Sequence, residues 1–174
     1  MYRILLVDDE PNILNALRRC LASIDVGRLD GDALKVEAFT SPERALERSE
    51  EQDFDLVISD YRMPSMDGVE FLSAMMELQP AVPRMICSGY ADRDAIIAAV
   101  NEVQLARFIG KPWTDEEFAD AVVALLRPGR ARPRSQRQAG APTQSVLAEA
   151  VAARVTHVEQ DDDGSIVLSS EDPL

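Results

Sequence analysis

The chain has 174 residues, of which 46% are hydrophobic, which is enough for one full domain with its own core and an appendage. Its 18 Lys and Arg residues against 31 Asp and Glu residues give a formal net charge of −13. This charge argues against a general nucleic-acid binder, because such proteins need a basic surface.

No apolar run approaches the ~20 residues of a membrane span, and the chain enters a predicted strand directly, without a signal peptide. Cys20 falls in a predicted helix and Cys87 in a predicted strand, so neither resembles half of a disulfide. We therefore expect a cytoplasmic protein that makes no membrane contact.

Five short apolar segments predict β-strands, at about residues 3–7, 34–39, 56–58, 84–87 and 106–109. They alternate with five segments at helical spacing, which begin near residues 11, 42, 69, 92 and 115. The third helix is expected to end at about residue 78, the fourth at about 103 and the fifth near 127. This alternation predicts an α/β fold with a parallel, doubly wound sheet between two layers of helices.

Helix start signals accompany three of these segments. Pro11 lies near a first turn, where its missing N–H does no harm. Ser41 precedes Pro42 as an N-cap, and Thr114 with Glu117 three residues later has the pattern of a capping box. These signals fix where the helices begin more closely than the hydrophobic spacing does.

Polar residues follow four of the predicted strands: Asp8 and Asp9, Asp60, Ser88, and Lys111. Right-handed crossovers bring the ends of these four strands to one edge, where open α/β sheets bind ligands. Each residue also has a local explanation. An acidic pair suits a helix N-terminus, a strand-terminal serine can bond its own loop, and a loop lysine can simply be exposed. We favour a shared cation site, because the four features coincide at one edge.

The residues at these strand ends carry a resemblance. The stretches are LLVDDE at 5–10, DYRMPSMDG at 60–68, SGY at 88–90 and KP at 111–112. Over about residues 1–127 the chain resembles the receiver domain of bacterial two-component response regulators, the chemotaxis regulator type included. The resemblance implies a flavodoxin-like, five-stranded parallel sheet of order 2-1-3-4-5 flanked by five helices.

The resemblance also implies a phosphoacceptor. Asp60 would accept a phosphoryl group from a sensor histidine kinase or phosphotransfer protein, as a carboxylate nucleophile forming an aspartyl phosphate. Asp9 and Asp60 would ligate Mg²⁺ directly, Asp8 would act mainly through water, and the main-chain carbonyl of Arg62 would complete the protein ligands. Mg²⁺ suits such a site because it prefers a few carboxylates together with water and phosphate oxygens.

Three further roles follow from the same resemblance. Lys111 would contact a phosphoryl oxygen, with the Lys111–Pro112 peptide bond cis, and Ser88 would donate its hydroxyl to the phosphoryl group. Phe108 matches the family's switch aromatic, although an aromatic residue in a short strand is also an ordinary core residue. Apart from intrinsic autophosphorylation and autodephosphorylation, no enzyme activity is expected.

Beyond residue 127 the composition changes. Residues 128–145, with four arginines among Pro, Gly, Ser and Gln, predict a flexible basic linker. Residues 146–174 form an acidic tail in which a short helix and a β-hairpin with an Asp-Gly turn are predicted. His157, the only histidine, is interpreted as structural or exposed rather than as a phosphorelay site.

Three functions remain open at this point. The first is a stand-alone receiver that signals by phosphorylation-dependent contact with a downstream protein. A homodimer through the face of the fourth helix, fifth strand and fifth helix is compatible with it. The second is a receiver whose Arg-rich linker and tail act as an effector on nucleic acid or a partner. The third is a haloacid-dehalogenase-like phosphatase, which would need Asp-x-Asp on its first strand, where this chain has Asp-Asp-Glu.

Overall fold

The computed structural model describes residues 1–89, 102–129, 158–160 and 166–168. The chain separates into two compact units, Met1–Thr143 and Gln144–Leu174. In the described part of the first unit, the strands are β1 (Tyr2–Val7), β2 (Leu34–Phe39), β3 (Leu56–Ser59), β4 (Arg84–Gly89) and β5 (Arg107–Lys111). The helices described there are α1 (Pro11–Ala22), α2 (Pro42–Glu51), α3 (Gly68–Leu78) and α4 (Asp115–Gly129), with a 3₁₀ turn at Val26–Leu29.

The five strands form one parallel sheet of order β2-β1-β3-β4-β5. This order confirms both the doubly wound α/β prediction and the topology that the resemblance implied. β2 lies on one side of β1 and β3 lies on the other, so β1 and β3 are neighbours in the sheet although β2 lies between them in the sequence. The strand order of a flavodoxin-like fold therefore places the ends of β1 and β3 side by side.

The three central strands, β1, β3 and β4, are buried on both faces of the sheet. One apolar cluster joins alternate residues of the central strands, such as Ile4, Leu6 and Ile58, to the inner faces of α1 and α4. Because successive side chains of a strand point to opposite faces, Leu5 and Val57 lie on the other side, where α2 and α3 pack. All five of these side chains are at most 1% exposed. Packing on both faces therefore fixes the central strands whose ends carry Asp8 and Asp60.

Two of the predicted strands, the fourth and the fifth, end too early. Residues Ser88↔Gly110 and Gly89↔Lys111 still pair, so β4 and β5 continue to positions that the sequence suggested were loops. The fifth predicted helix, labelled α4 here, also extends to Gly129 rather than ending near residue 127. The fourth predicted helix, at about residues 92–103, lies almost wholly outside the described residues, and residues 102–104 form a turn.

In the second unit, β6 (Val158–Gln160) pairs antiparallel with β7 (Ile166–Leu168). The register Val158↔Leu168, Glu159↔Val167, Gln160↔Ile166 is that of a hairpin. The intervening Asp-Gly turn, the short helix and His157 lie outside the described residues. The division into receiver, linker and tail at residues 127 and 145 stays a prediction.

Candidate functional site

Two carboxylates follow adjacent strands at the carboxyl edge of the sheet. Asp8 comes directly after β1 and Asp60 directly after β3, and the last pair of the β1–β3 ladder is Val7↔Ser59. The Asp60 N–H donates to the Val7 carbonyl at 2.8 Å, which holds the two strand ends together. Asp8 is 1% exposed and Asp60 is 7% exposed. Two nearly buried carboxylates thus lie next to each other, as the strand-end pattern predicted.

Lys111 bridges this pair. Its ammonium nitrogen Nζ lies 2.9 Å from Asp8 Oδ2 and 2.6 Å from Asp60 Oδ1. Lys111 is the last residue of β5, so its side chain reaches past β4 to the ends of β3 and β1. The Lys111–Pro112 peptide bond is cis, as the resemblance implied. The sequence predicted that Lys111 would meet a phosphoryl oxygen, but it missed this double ion pair.

Backbone N–H groups hold the other carboxylate oxygens. Asp8 Oδ1 accepts from the N–H of Glu10 at 2.9 Å, and Asp60 Oδ2 accepts from the N–H of Arg62 at 2.9 Å. In both cases the donor is two residues after the acid, which is an Asx-turn arrangement. Each carboxylate therefore has one oxygen on Lys111 and the other on its own loop, and neither is free to rotate.

Burial and the hydrogen bonds among Asp8, Asp60 and Lys111 together set the pKa values of Asp8 and Lys111. Burial raises the pKa of Asp8 above its ordinary value, and the hydrogen bond from Lys111 opposes this shift without cancelling it. Burial alone would lower the pKa of Lys111, but the hydrogen bonds to Asp60 and Asp8 outweigh it, so its pKa is raised. The site holds one ammonium group and two carboxylates, so it carries an excess negative charge, which favours a further cation nearby.

The loop after Asp60 is held by the start of α3. Asp67 caps this helix by accepting from Val69 N and Glu70 N, and the Glu70 side chain accepts in return from Asp67 N. The N–H of Gly68 donates to the Tyr61 carbonyl at 2.8 Å. A Cβ atom at Gly68 would lie 2.2 Å from the Asp60 carbonyl oxygen, so only glycine permits this approach. This contact was not read from the sequence.

Ser88 lies on β4 and Phe108 lies on β5. Ser88 is 1% exposed on β4, the strand between Asp60 and Lys111, and is paired with Gly110. Phe108 is half-buried on β5 and is paired with Ile86. The structure thus places Ser88 at the same edge as Asp60 and Lys111, whereas Phe108 lies three residues back along its strand.

The described residues contain no preformed group of three Asp, Glu, His or Cys side chains arranged to hold a metal ion. Lys111 already bridges Asp8 and Asp60, whereas Asp9 is half-buried and lines an open pocket of about 420 Å³ beside Arg62. The donor set nevertheless fits Mg²⁺, because it consists of carboxylate and carbonyl oxygens with excess negative charge. A cation would have to share the carboxylates with Lys111 or displace it.

Among the described residues, no helix combines the length and apolar character needed to traverse a lipid bilayer.

Comparison with known proteins identifies the class to which this fold and site belong. Residues 4–123 match the response regulator receiver domain, and the chain belongs to this family. It therefore contains a receiver domain of a two-component response regulator, which is a phosphoacceptor signalling module rather than a classical enzyme. The family typically binds Mg²⁺ and works with a partner histidine kinase.

Several known proteins are similar to this chain. The chain is 35% identical over 119 residues to the hydrogenase transcriptional regulatory protein HoxA of Cupriavidus necator, which covers 68% of this chain and 23% of the relative. A solved structure from Neptuniibacter caesariensis is 38% identical, with a TM-score of 0.66, and covers 83% of this chain and 97% of that one. The signal receiver domain of an HD domain-containing protein from Pseudomonas fluorescens Pf-5 is 28% identical, with a TM-score of 0.66, covering 75% and 98%. The chain thus spans about a quarter of the curated regulator and nearly all of the two solved structures.

Proposed function

We propose that Asp60 accepts a phosphoryl group from a phosphohistidine of a sensor histidine kinase or phosphotransfer protein. The observation that carries the proposal is the position of Asp60. It is the carboxylate at the end of the central strand β3, with its Oδ1 oxygen 2.6 Å from the Lys111 ammonium. In transfer, an Asp60 oxygen bonds to phosphorus, the phosphorus–nitrogen bond breaks, and its electron pair leaves on the histidine nitrogen.

Asp8, Asp9, Asp60 and the Arg62 carbonyl would hold Mg²⁺, which when bound supplies neutralisation of the phosphoryl charge. The chain's own residues supply the rest. The Arg62 N–H orients the Asp60 carboxylate, and Lys111, which now contacts Asp60 Oδ1, is positioned to contact a phosphoryl oxygen once Asp60 has become an acyl phosphate. Ser88, at the end of β4, would donate its hydroxyl to the same group.

The output of the domain is proposed to be a change of protein contacts. A new dianion draws Ser88 and Lys111 inward, and Phe108 then repacks beside them. Phosphorylation acts by favouring one of two existing arrangements. The surface of β5 and α4 changes as a result and contacts a downstream protein or a second copy of the chain. The fourth predicted helix, the other part of that surface, lies almost wholly outside the described residues.

Two alternatives have less support. The effector role of the Arg-rich linker depends on residues 130–145, which lie outside the described residues, so no contact favours it. The phosphatase alternative needed a nucleophile on the first strand. The match to the receiver family over residues 4–123 does not favour such an enzyme.

The test is intact mass after incubation with Mg²⁺ and a small acyl-phosphate donor. Wild type should gain one labile phosphoryl group, and Asp60→Asn should gain none. Asp53→Asn is the matched control, because Asp53 is an exposed carboxylate before the other end of β3. An adduct on Asp60→Asn, or no adduct on wild type that binds Mg²⁺, would overturn the assignment.

A further inference from the structure

A second pocket lies at the carboxyl edge of the sheet, between the start of α1, the end of β2 and the start of α2. It has a volume of about 340 Å³, and its polar lining residues are Asn15, Arg18, Thr40, Ser41 and Arg44. Its remaining walls include Leu14 and Phe39. The volume is within the range of small-molecule sites. None of the residues assigned to phosphotransfer lines it.

The charge of this pocket is unusual for this protein. No carboxylate lines it, although the whole chain carries 31 Asp and Glu residues against 18 Lys and Arg residues. Within the part of the chain that the structure describes, the guanidinium groups of Arg18 and Arg44 make neither a hydrogen bond nor an ion pair. Four other arginines in that part do pair with carboxylates: Arg3, Arg28, Arg48 and Arg127.

These observations favour an anion with several acceptor oxygens. A guanidinium presents planar, paired donors that match phosphate, and two exposed arginines from different helices line this cavity. Asn15 and Thr40 add neutral donors. The carboxylate of Glu43, which accepts from the Ser41 hydroxyl at 2.6 Å, lies in the same first turn of α2 and opposes anion binding in part. Two cationic groups outweigh this one neighbour.

A small ligand fits better than a protein surface. The large hydrophobic side chains exposed in the described part of the chain are Met1, Val26 and Leu78, and none of them lines the pocket. Protein interfaces depend on aromatic or aliphatic anchors, whereas the apolar walls of this pocket, Leu14 and Phe39, are already buried or half-buried within the domain. We propose that the pocket between α1 and α2 binds a small phosphate-bearing molecule through Arg18 and Arg44. This site is separate from the phosphoacceptor and does not depend on its assignment.

The test is a titration of the full chain with inorganic phosphate, pyrophosphate and a nucleoside monophosphate, without Mg²⁺ and at low ionic strength, because salt screens exposed charges. Amide resonances are followed by NMR. Saturable shifts are expected at Asn15 and Thr40. Arg18→Gln and Arg44→Gln should each weaken binding about tenfold, since a hydrogen bond to a charged group is lost. Arg19→Gln is the matched control, because Arg19 is exposed on α1 but does not line the pocket.

Each outcome bears on the proposal. Saturation by inorganic phosphate alone identifies a phosphate site. If the nucleoside monophosphate binds at least tenfold more tightly than inorganic phosphate, the apolar wall of Leu14 and Phe39 also contacts the ligand. An equal loss in Arg19→Gln would mean general charge attraction, and the proposal would be wrong. Shifts confined to Arg62 and Lys111 would mean binding at the phosphoacceptor, which also overturns it. So would the absence of saturation with all three ligands.

Discussion

Replacement of Gly68 by Ala tests how strictly Asp60, the proposed phosphoacceptor, is positioned. The added Cβ atom would lie 2.2 Å from the Asp60 carbonyl oxygen and 2.9 Å from the Tyr61 Cα atom. The obstacle is this contact and not the backbone conformation, because Gly68 is not among the described glycines with positive φ. Both near atoms belong to the main chain, so no side chain can rotate away.

The displacement can be worked from these distances. An ordinary van der Waals contact of a Cβ atom begins at 3.4 Å, so the loop and the start of α3 must separate by roughly 1 Å. Overpacking of this kind costs about 1–3 kcal/mol of stability. Since Asp60 Oδ1 lies 2.6 Å from Lys111 Nζ, the same movement displaces the proposed nucleophile from Lys111. A misplacement of about 1 Å can slow a reaction about 100-fold.

The assay is the initial rate of phosphoryl adduct formation from an acyl phosphate at saturating Mg²⁺, measured together with the free energy of unfolding. Met75→Ala is the control, because Met75 is fully buried on the same helix and its truncation costs about 2–5 kcal/mol by leaving a cavity. Gly68→Ala should lose rate far beyond Met75→Ala at equal or smaller loss of stability. A wild-type rate in Gly68→Ala, or equal rate losses in the two variants, would refute the reasoning.

Three further predictions follow from the electrostatics. Lys111→Met should tighten Mg²⁺ binding, because the ammonium no longer competes for the two carboxylates. The same change should destabilise the metal-free protein by about 2 kcal/mol. An unchanged Mg²⁺ affinity in a fluorescence titration would contradict the predicted competition. A hydrogen bond from Arg48 lowers the pKa of Glu37 below 4.5, so the pair stabilises the fold above that pH and this contribution is lost as pH falls through the lowered pKa. Arg48→Gln should therefore lower the Tm at neutral pH but hardly at strongly acid pH, and equal losses at both would count against the pair. Burial raises the pKa of Cys87 to about 12, so an aromatic disulfide reagent at neutral pH should label it only after denaturation, and rapid labelling of the native protein would show that it is accessible.

Most of the fold could be predicted from the sequence, because the signals are local. The apolar runs of β1, β2 and β3 and the start signals of α1 and α2 each lie within a few residues. The boundaries of β4 and β5 were less accurate, because Ser88 and Lys111 look like loop residues and only pairing between the two strands keeps them in the sheet.

Arg84 illustrates a residue that local reasoning misjudges. An arginine at the start of a strand would be expected at the surface, yet Arg84 is 3% exposed. Its guanidinium donates to the carbonyls of Val103 at 2.7 Å, Val82 at 3.0 Å and Pro80 at 3.2 Å. Burial lowers its pKa, and these carbonyls replace the water that it gave up. Pro80 and Val82 are close to Arg84 in sequence, but the contact of 2.7 Å is to Val103, which lies 19 residues away and is brought near only by the fold.

The sequence by itself determined the class of fold, the edge of the sheet at which the polar strand-end residues gather and the identity of those residues. Strand periodicity and the handedness of crossovers are general rules that need no coordinates. The tertiary structure alone decided how those residues meet. It decided that Lys111 bridges Asp8 and Asp60, and that a Cβ at Gly68 would meet the Asp60 carbonyl. It also decided that Arg18 and Arg44, whose guanidinium groups have no partner among the described residues, line one pocket. Such contacts depend on distances between elements that are remote in sequence, and these distances are fixed only when the helices pack against the sheet.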